Sequence, residues 1–257
     1  MHEYEAGIIQ TENRGNFTYI VTLSCETIAR EVVAGQFVQV RVGTGTDPFL
    51  RRTFSVFGVD RSRGLVKLMI DAIGPGTELL AGTKHGCSLS VIGPLGNGFD
   101  LTDISSCLLV AGGVGIAPLL FLSESLKTKI AGPVEFMVGT QTAGVHEAYD
   151  GLYGDNLTVL RATDDGSLGY KGFVTVLLEA RLGTMKPDCI YTCGPHQMMK
   201  AVAAIAEKHG IRCQVSLEER MACGVGACYG CTVQLQDGSM VRTCVDGPVF
   251  DAHEVTW

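Results

Sequence analysis

Four cysteines crowd the last 40 residues of this 257-residue chain: Cys223-x4-Cys228-x2-Cys231, followed after twelve residues by Cys244. The spacing C-x4-C-x2-C…C is that of plant-type [2Fe–2S] centres, where four thiolates hold two bridged irons. Gly224, Gly226, Ala227 and Gly230 let the loop wrap tightly and aim backbone N–H groups at anionic sulfur. A structural zinc ion is the alternative, but zinc ligands come as C-x2–4-C pairs joined by a spacer, and here three cysteines share one glycine-rich loop. Inert thiols are the third reading. For Cys25, Cys87, Cys107, Cys189 and Cys213, scattered along the chain, the expectation is small buried hydrophobes.

Other residues suit phosphate and flat rings. Arg51-Arg52-Thr53-Phe54-Ser55 sets a guanidinium fork, suited to a pyrophosphate, before a strand whose Ser55 can face a ring. The bland alternative is a solvated or salt-bridged pair of arginines. Gly74-Pro75-Gly76-Thr77 is a turn opening toward a helix at Glu78, with N–H groups free for a second phosphate. Gly93-Pro94-Leu95-Gly96-Asn97-Gly98-Phe99 reads equally as a ligand loop or an interdomain linker. In Leu108 to Pro118 a buried strand, the turn Gly112-Gly113-Val114-Gly115 and a helix start follow one another, where an α/β sheet seats a dinucleotide pyrophosphate. The turn departs from G-x-G-x-x-G, and alone a glycine loop is weak evidence. Cys193-Gly194-Pro195 ends another strand, placing Cys193 against a nicotinamide or, alternatively, in the core.

The elements that must position these residues fall into three stretches. Residues 1–100 read as short strands, Gly7–Thr11, Thr18–Leu23, Phe37–Val42, Thr53–Val59, Val66–Ala72 and Ser88–Ile92, which predicts an antiparallel barrel or sandwich. Residues 101–217 alternate strand and helix and predict a parallel sheet covered by helices. Residues 218–257 carry no long periodic segment and suit a small module stabilised by its metal. The fold class is thus all-β plus α/β with a C-terminal metal module.

A net charge of -7 and a pI near 5.4 argue against nucleic acid, whose phosphates need clustered bases. The most apolar run, Cys107 to Leu122, has 16 residues, three glycines and a proline, too short and broken for a membrane span of about 20. Met1-His2-Glu3-Tyr4-Glu5 has no signal-peptide character, so a cytoplasmic address is expected, where thiols stay reduced.

In order along the chain, R-R-T-F-S, G-G-V-G-I-A-P, C-G-P and the cysteine loop resemble the ferredoxin-reductase family with a fused [2Fe–2S] module. Within it, Thr163-Asp164-Asp165-Gly166-Ser167 with Lys171-Gly172-Phe173-Val174-Thr175, Glu218 to Cys228, and Cys244-Val245-Asp246-Gly247-Pro248-Val249-Phe250 resemble the electron-transfer subunits of type B dihydroorotate dehydrogenases. The resemblance implies FAD contacts at Arg52, Thr53, Phe54, Ser55, Ile70, Asp71, Ala72, Gly76 and Thr77. It implies NAD contacts at Gly112, Gly113, Gly115, Pro118, Cys193, Gly194 and Pro195, and cluster ligation by Cys223, Cys228, Cys231 and Cys244. Asp71, where relatives often carry a base beside the flavin, and Thr53, for the commoner proline, depart from the pattern.

It further implies an FMN-containing catalytic dihydroorotate dehydrogenase subunit as partner, two of each in a heterotetramer. No segment remains here for a (β/α)8 barrel of about 250 residues. The partner is expected at the cysteine loop, with Met221, Val225 and Tyr229 as anchors, on a tail bearing -4 of the charge. Gly139 to His146 holds no Arg or Lys, so NAD(H) is expected over NADP(H). Alternatives are a same-cofactor subunit serving a ferredoxin, hydrogenase or transhydrogenase-type complex, and a cofactor-free interaction protein.

Overall fold

The computed structural model describes residues 2–43, 45–131 and 134–257. Strands β1 (Glu3–Gly15), β2 (Thr18–Ser24), β3 (Phe37–Val40), β4 (Arg52–Asp60), β5 (Leu65–Asp71) and β6 (Ser88–Leu95) close an antiparallel barrel in the order β1-β2-β5-β4-β3-β6. Alternation fills it: Val38, Val40, Phe54, Val56, Leu68 and Val91 are buried. Two short helices punctuate the barrel. α1 (Glu26–Glu31), unexpected from the sequence, covers one end with Ile28 and Ala29. α2 (Pro75–Ala81) starts at Pro75 rather than Glu78, because proline with its fixed φ suits the first helical position.

β6 runs to Leu95, beyond the expected Ile92, by accommodating Gly93 and Pro94 in an irregularity: Phe37 pairs with Leu95 but Gln39 with Ile92. The glycine loop that follows is a clasp. Asn97 donates its backbone N–H to Gly247 O at 2.6 Å and its side-chain amide to Val245 O and Asp246 O at 3.1 and 2.9 Å, tying barrel to cysteine segment.

The second region comprises β7 (Cys107–Gly112), a 3-10 turn (Gly113–Gly115), α3 (Ile116–Leu126), β8 (Val134–Thr140), α4 (Ala143–Glu147), β9 (Leu157–Thr163), β10 (Tyr170–Lys171), α5 (Val174–Leu182), β11 (Cys189–Cys193), α6 (His196–His209) and β12 (Arg212–Ser216). Its sheet has the order β10-β9-β8-β7-β11-β12 and is parallel. β7 is buried throughout because both faces are covered. Leu109 and Tyr191 look toward α3 and the barrel, Leu108 and Ile190 toward α5 and α6. α6 stops at Gly210, whose φ of +62° takes the left-handed cap.

The cysteine segment adds β13 (Thr232–Gln234), β14 (Met240–Arg242) and β15 (Val249–Asp251). β15 pairs antiparallel with β12, so the segment is bonded into the parallel sheet rather than freestanding. Cys25, Cys107, Cys189 and Cys213 are buried as expected, but Cys87 is exposed, because it sits in the Gly86 turn before β6 rather than in a strand. No helix among the described residues is long and apolar enough to cross a membrane.

Candidate electron-transfer site

The cysteine loop brings its four thiols close together: Cys223 lies within reach of Cys228, and Cys244 within reach of both Cys231 and Cys223. Among the described residues no three His, Cys, Asp or Glu side chains close on one point as ligands of a single ion. The C-x4-C-x2-C…C spacing, with three cysteines on one loop, favours two bridged irons over one tetrahedral zinc. Backbone N–H groups point at sulfur, as the small residues suggested: Val225, Ala227 and Cys228 donate to Cys223 Sγ at 3.5, 3.3 and 3.4 Å, Gly226 to Cys244 Sγ at 3.2 Å, and Gly230 to Cys228 Sγ at 3.4 Å. Against the cost of burial, these donors draw the Cys223 thiol down to about 6. Gly224 and Gly226, at φ +66° and +80°, make the turns that aim them.

The loop has two faces. Cys231 and Cys244 are buried against Phe37 and Leu95 of the barrel, with Met221 and Val225 packed beside them. Cys228 and Tyr229 face outward, the Tyr229 ring lying 5.2 Å from the Arg242 guanidinium. Of the three expected anchors, then, only Tyr229 is exposed, because Met221 and Val225 are needed to seat the loop on the barrel.

Directly behind lies a cleft of about 300 Å³ between barrel and sheet. Thr53, Phe54 and Ser55 of β4, Ile70 and Asp71 of β5, and Thr77 of α2 form its barrel wall. The sheet region contributes Val114 and Ala117, and the approach to the cysteine loop contributes Glu218 and Met221. Arg52 stands at the rim, donating to Leu50 O and packed so closely on Gly76 that a side chain there would collide with it. Two phosphate signals 24 residues apart are thereby one feature. Ala72 donates its N–H to Phe17 O outside the cleft wall.

Across the sheet, β7 and β11 are neighbours from which the strand order runs opposite ways, the switch point where such sheets bind ligands. Their carboxyl-end loops interlock. A methyl on Gly194 would meet Gly112 backbone atoms at 2.8–2.9 Å, and one on Gly115 would meet Cys193 O at 2.5 Å. Gly112, Gly113, Gly115, Gly194 and Pro195 line the opening beside Glu218. Pro118 is buried within α3, away from the walls, and Cys193 is fully buried, its thiol 3.9 Å from Glu218 Oε1 and pushed well up by burial. A second cleft of about 530 Å³ continues past Gly139, Gln141, Asp164, Phe173 and Met198.

Three residues were not singled out from the sequence. Glu218 lay in a quoted stretch without a role, and Asp164 at the carboxyl end of β9 could have been found by the switch-point rule. Gln39 gave no signal: buried in β3, it donates to Thr53 Oγ1 at 3.3 Å and packs under Gly224, touching both the cleft wall and the cysteine loop.

Barrel, switch-point sheet and clustered thiols define a ferredoxin-reductase-like fold with a fused iron–sulfur module. The profile described as the iron-sulfur cluster binding domain of dihydroorotate dehydrogenase B matches residues 218–256, and that of an oxidoreductase NAD-binding domain matches 109–204. The chain is 39% identical over 244 residues to the dihydroorotate dehydrogenase B (NAD(+)), electron transfer subunit, of Desulforamulus reducens, covering 93% of each chain. To the protein of the same name from Bacillus caldolyticus it is 40% identical over 245 residues, covering 93% and 92%. A solved NADH-dependent reduced ferredoxin-NADP oxidoreductase, described in terms of flavin-based electron bifurcation, superposes with a TM-score of 0.88 at 29% identity, over 98% of this chain and 90% of that one. The chain belongs to the family of dihydroorotate dehydrogenase B electron transfer subunits.

Proposed function

We propose that this chain relays electrons between a [2Fe–2S] cluster and NAD(H) through FAD. In this reading a separate FMN-containing subunit oxidises dihydroorotate to orotate in cytoplasmic pyrimidine biosynthesis and delivers the electrons to the cluster, with two copies of each subunit in the assembly. The observation that carries it is the two-faced cysteine loop: one thiol pair is seated on the barrel beside the flavin cleft, and Cys228 faces out.

Arg52 with Gly76 and Thr77 would hold the FAD pyrophosphate, and Thr53–Ser55 with Ile70–Ala72 the ring. Gly112–Pro118 and Cys193–Pro195 would hold the nucleotide, with Cys193 acting through Glu218 rather than by direct contact. A bound flavin supplies the exchange between two-electron hydride and one-electron cluster chemistry. Phe37, Met221 and Pro248 close the cluster side of the cleft against water. NAD(H) is favoured over NADP(H) because the outer cleft offers Asp164 and Gln141 and no Lys or Arg among its lining.

Tyr229→Glu tests the docking face. Co-purification with the FMN subunit and dihydroorotate-dependent NAD⁺ reduction should fall about tenfold or more, while NADH oxidation by artificial acceptors persists. Unchanged assembly moves the docking face elsewhere, and dihydroorotate turnover by this chain alone refutes the division of labour. A subunit serving a ferredoxin-type partner is the second reading, favoured by the 0.88 superposition, though at lower identity.

A further inference from the structure

Two carboxyl groups face the flavin cleft, one from each side. Asp71 ends β5 on the barrel wall. Its cross-strand partner Thr18, buried in β2, donates Oγ1 to Asp71 Oδ1 at 2.7 Å and fixes the side chain. Glu218 follows β12 on the sheet side, where the Cys193 thiol sits 3.9 Å from Oε1. The two groups repel each other, and both are held above the ordinary carboxylate range, chiefly by the crowding of the walls. The Tyr149 hydroxyl, fully buried and without a partner among the described residues, lies within electrostatic reach of Asp71. Among the described residues no cation offsets the pair: neither carboxyl is drawn down by a Lys or Arg, Arg52 is turned to Leu50 O and Gly76, and the other charged group on the wall, Glu219, is a third acid.

From this geometry we infer that Asp71 and Glu218 act as one unit that takes up a single shared proton when a flavin ring fills the cleft. Glu218, crowded by the walls, still reaches water through the cleft opening, and Asp71 is half-exposed. A flat ring filling the cleft would remove that water, and two carboxylates lining it cannot both stay charged there at low cost. The inference rests on the flavin reading of this cleft and assigns that site a proton store. Such a store has a use in the proposed relay. Two electrons reaching FAD one at a time from the cluster must be joined by one proton before a hydride, which is two electrons and that proton, can pass to NAD⁺. In the reverse direction the proton left when the electrons depart returns to the pair. Asp71 is the distinctive half, because a base at this position would hold Glu218 ionised.

The test is the proton balance of FAD binding to the full chain with its cluster in place and FAD removed. Calorimetry in buffers of different ionisation heat counts protons, and flavin fluorescence gives the affinity across about pH 5 to 8. FAD itself changes no charge in that interval. Filling the cleft raises the pair's pKa, so affinity should be level at the acid end and fall with rising pH, by up to about tenfold per unit, with up to one proton taken up per FAD. Asp71→Asn and Glu218→Gln, nearly isosteric, should each flatten the profile and cut the uptake by half or more, and the double variant should abolish both. A wild type that binds FAD with no proton uptake overturns the inference without help from any variant. Uptake unchanged in Asp71→Asn overturns the pairing. Absence of FAD binding at every pH would instead overturn the flavin reading, and the pair with it.

Discussion

The cysteine loop and the cleft between barrel and sheet adjoin each other and are built in opposite ways. The loop draws three of its cysteines from nine consecutive residues and its sulfur-directed N–H groups from the same stretch. The cleft has walls from β4, β5, α2, the start of α3 and the segment after β12, so it exists only once barrel and sheet have docked. A locally encoded site should fail locally when a residue is lost. An assembled site should fail together with the packing that makes it.

The largest effect should separate the two halves of the loop. Cys228→Ser on the exposed face should reduce the cluster's paramagnetic signal at least about tenfold, leave FAD bound, and lower the melting temperature only by what the lost cluster contributes. Cys231→Ser should also lose the cluster, and in addition cost about 1–3 kcal/mol, because it buries a hydroxyl against Phe37 and Leu95. Metal analysis of the parent protein should give about two irons per chain, where a zinc site would give one zinc and no iron. Equal stability of the two variants would break the distinction between an outward and a seated half.

Next in size are the interlocking glycines. Gly115→Ala keeps an ordinary φ of -60° but drives a methyl into Cys193 O, so thermal unfolding should show a loss of about 1–3 kcal/mol and NADH should bind more weakly. Gly113→Ala has open space but a φ of +54°, and should cost about 1 kcal/mol through backbone strain alone. The reverse ranking would mean that the two loops give way rather than interlock.

What was legible in the sequence follows the same division. The cysteine spacing, the alternation of β4 and β5 and the strand–glycine–helix order at Gly112 are properties of short windows, and the structure has them close to where the windows put them. Gln39, Glu218 and the clasp from Asn97 depend on residues far apart in sequence, and no window holds both partners. β15 was missed for the same reason: three residues carry too little pattern, and their strand conformation comes from the exposed edge of β12. α1 is only six residues long, and its helical form comes from burying Ile28 and Ala29 on the barrel end rather than from propensity.

A smaller effect is expected at Asp164. Replacing it with Ala removes a carboxylate facing the outer cleft and should raise the preference for NADPH relative to NADH by about tenfold, close to 1.4 kcal/mol, in steady-state diaphorase assays. An unchanged ratio would place nucleotide selection outside this cleft and remove Asp164 from the assembled site.

The smallest effect belongs to an assembled contact with no part in the chemistry. At the amino ends of β7 and β11, away from the interlocking loops, Asp188 Oδ2 accepts hydrogen bonds from the N–H groups of Ser105 and Ser106 at 2.9 and 2.8 Å and from their hydroxyls at 2.8 and 3.0 Å. These donors hold the carboxyl at about 2 against an ordinary 3.8, the opposite direction to Asp71 and Glu218. Because the folded value is depressed, the stabilisation is complete above the ordinary value and is lost as pH falls through about 2. Asp188→Asn keeps an acceptor but not the charge, and since the group is solvent-exposed the loss near neutrality should stay under about 1 kcal/mol. The difference from wild type in thermal unfolding should shrink as pH drops from about 4 toward 2, with FAD and NADH affinities unaffected throughout. A pH-independent difference would mean that the charge contributes nothing and that the serine clasp works by shape alone. A change in NADH affinity would mean that strain at the amino ends of β7 and β11 reaches the interlocked loops at their carboxyl ends, and that the cleft depends on the whole length of the two strands.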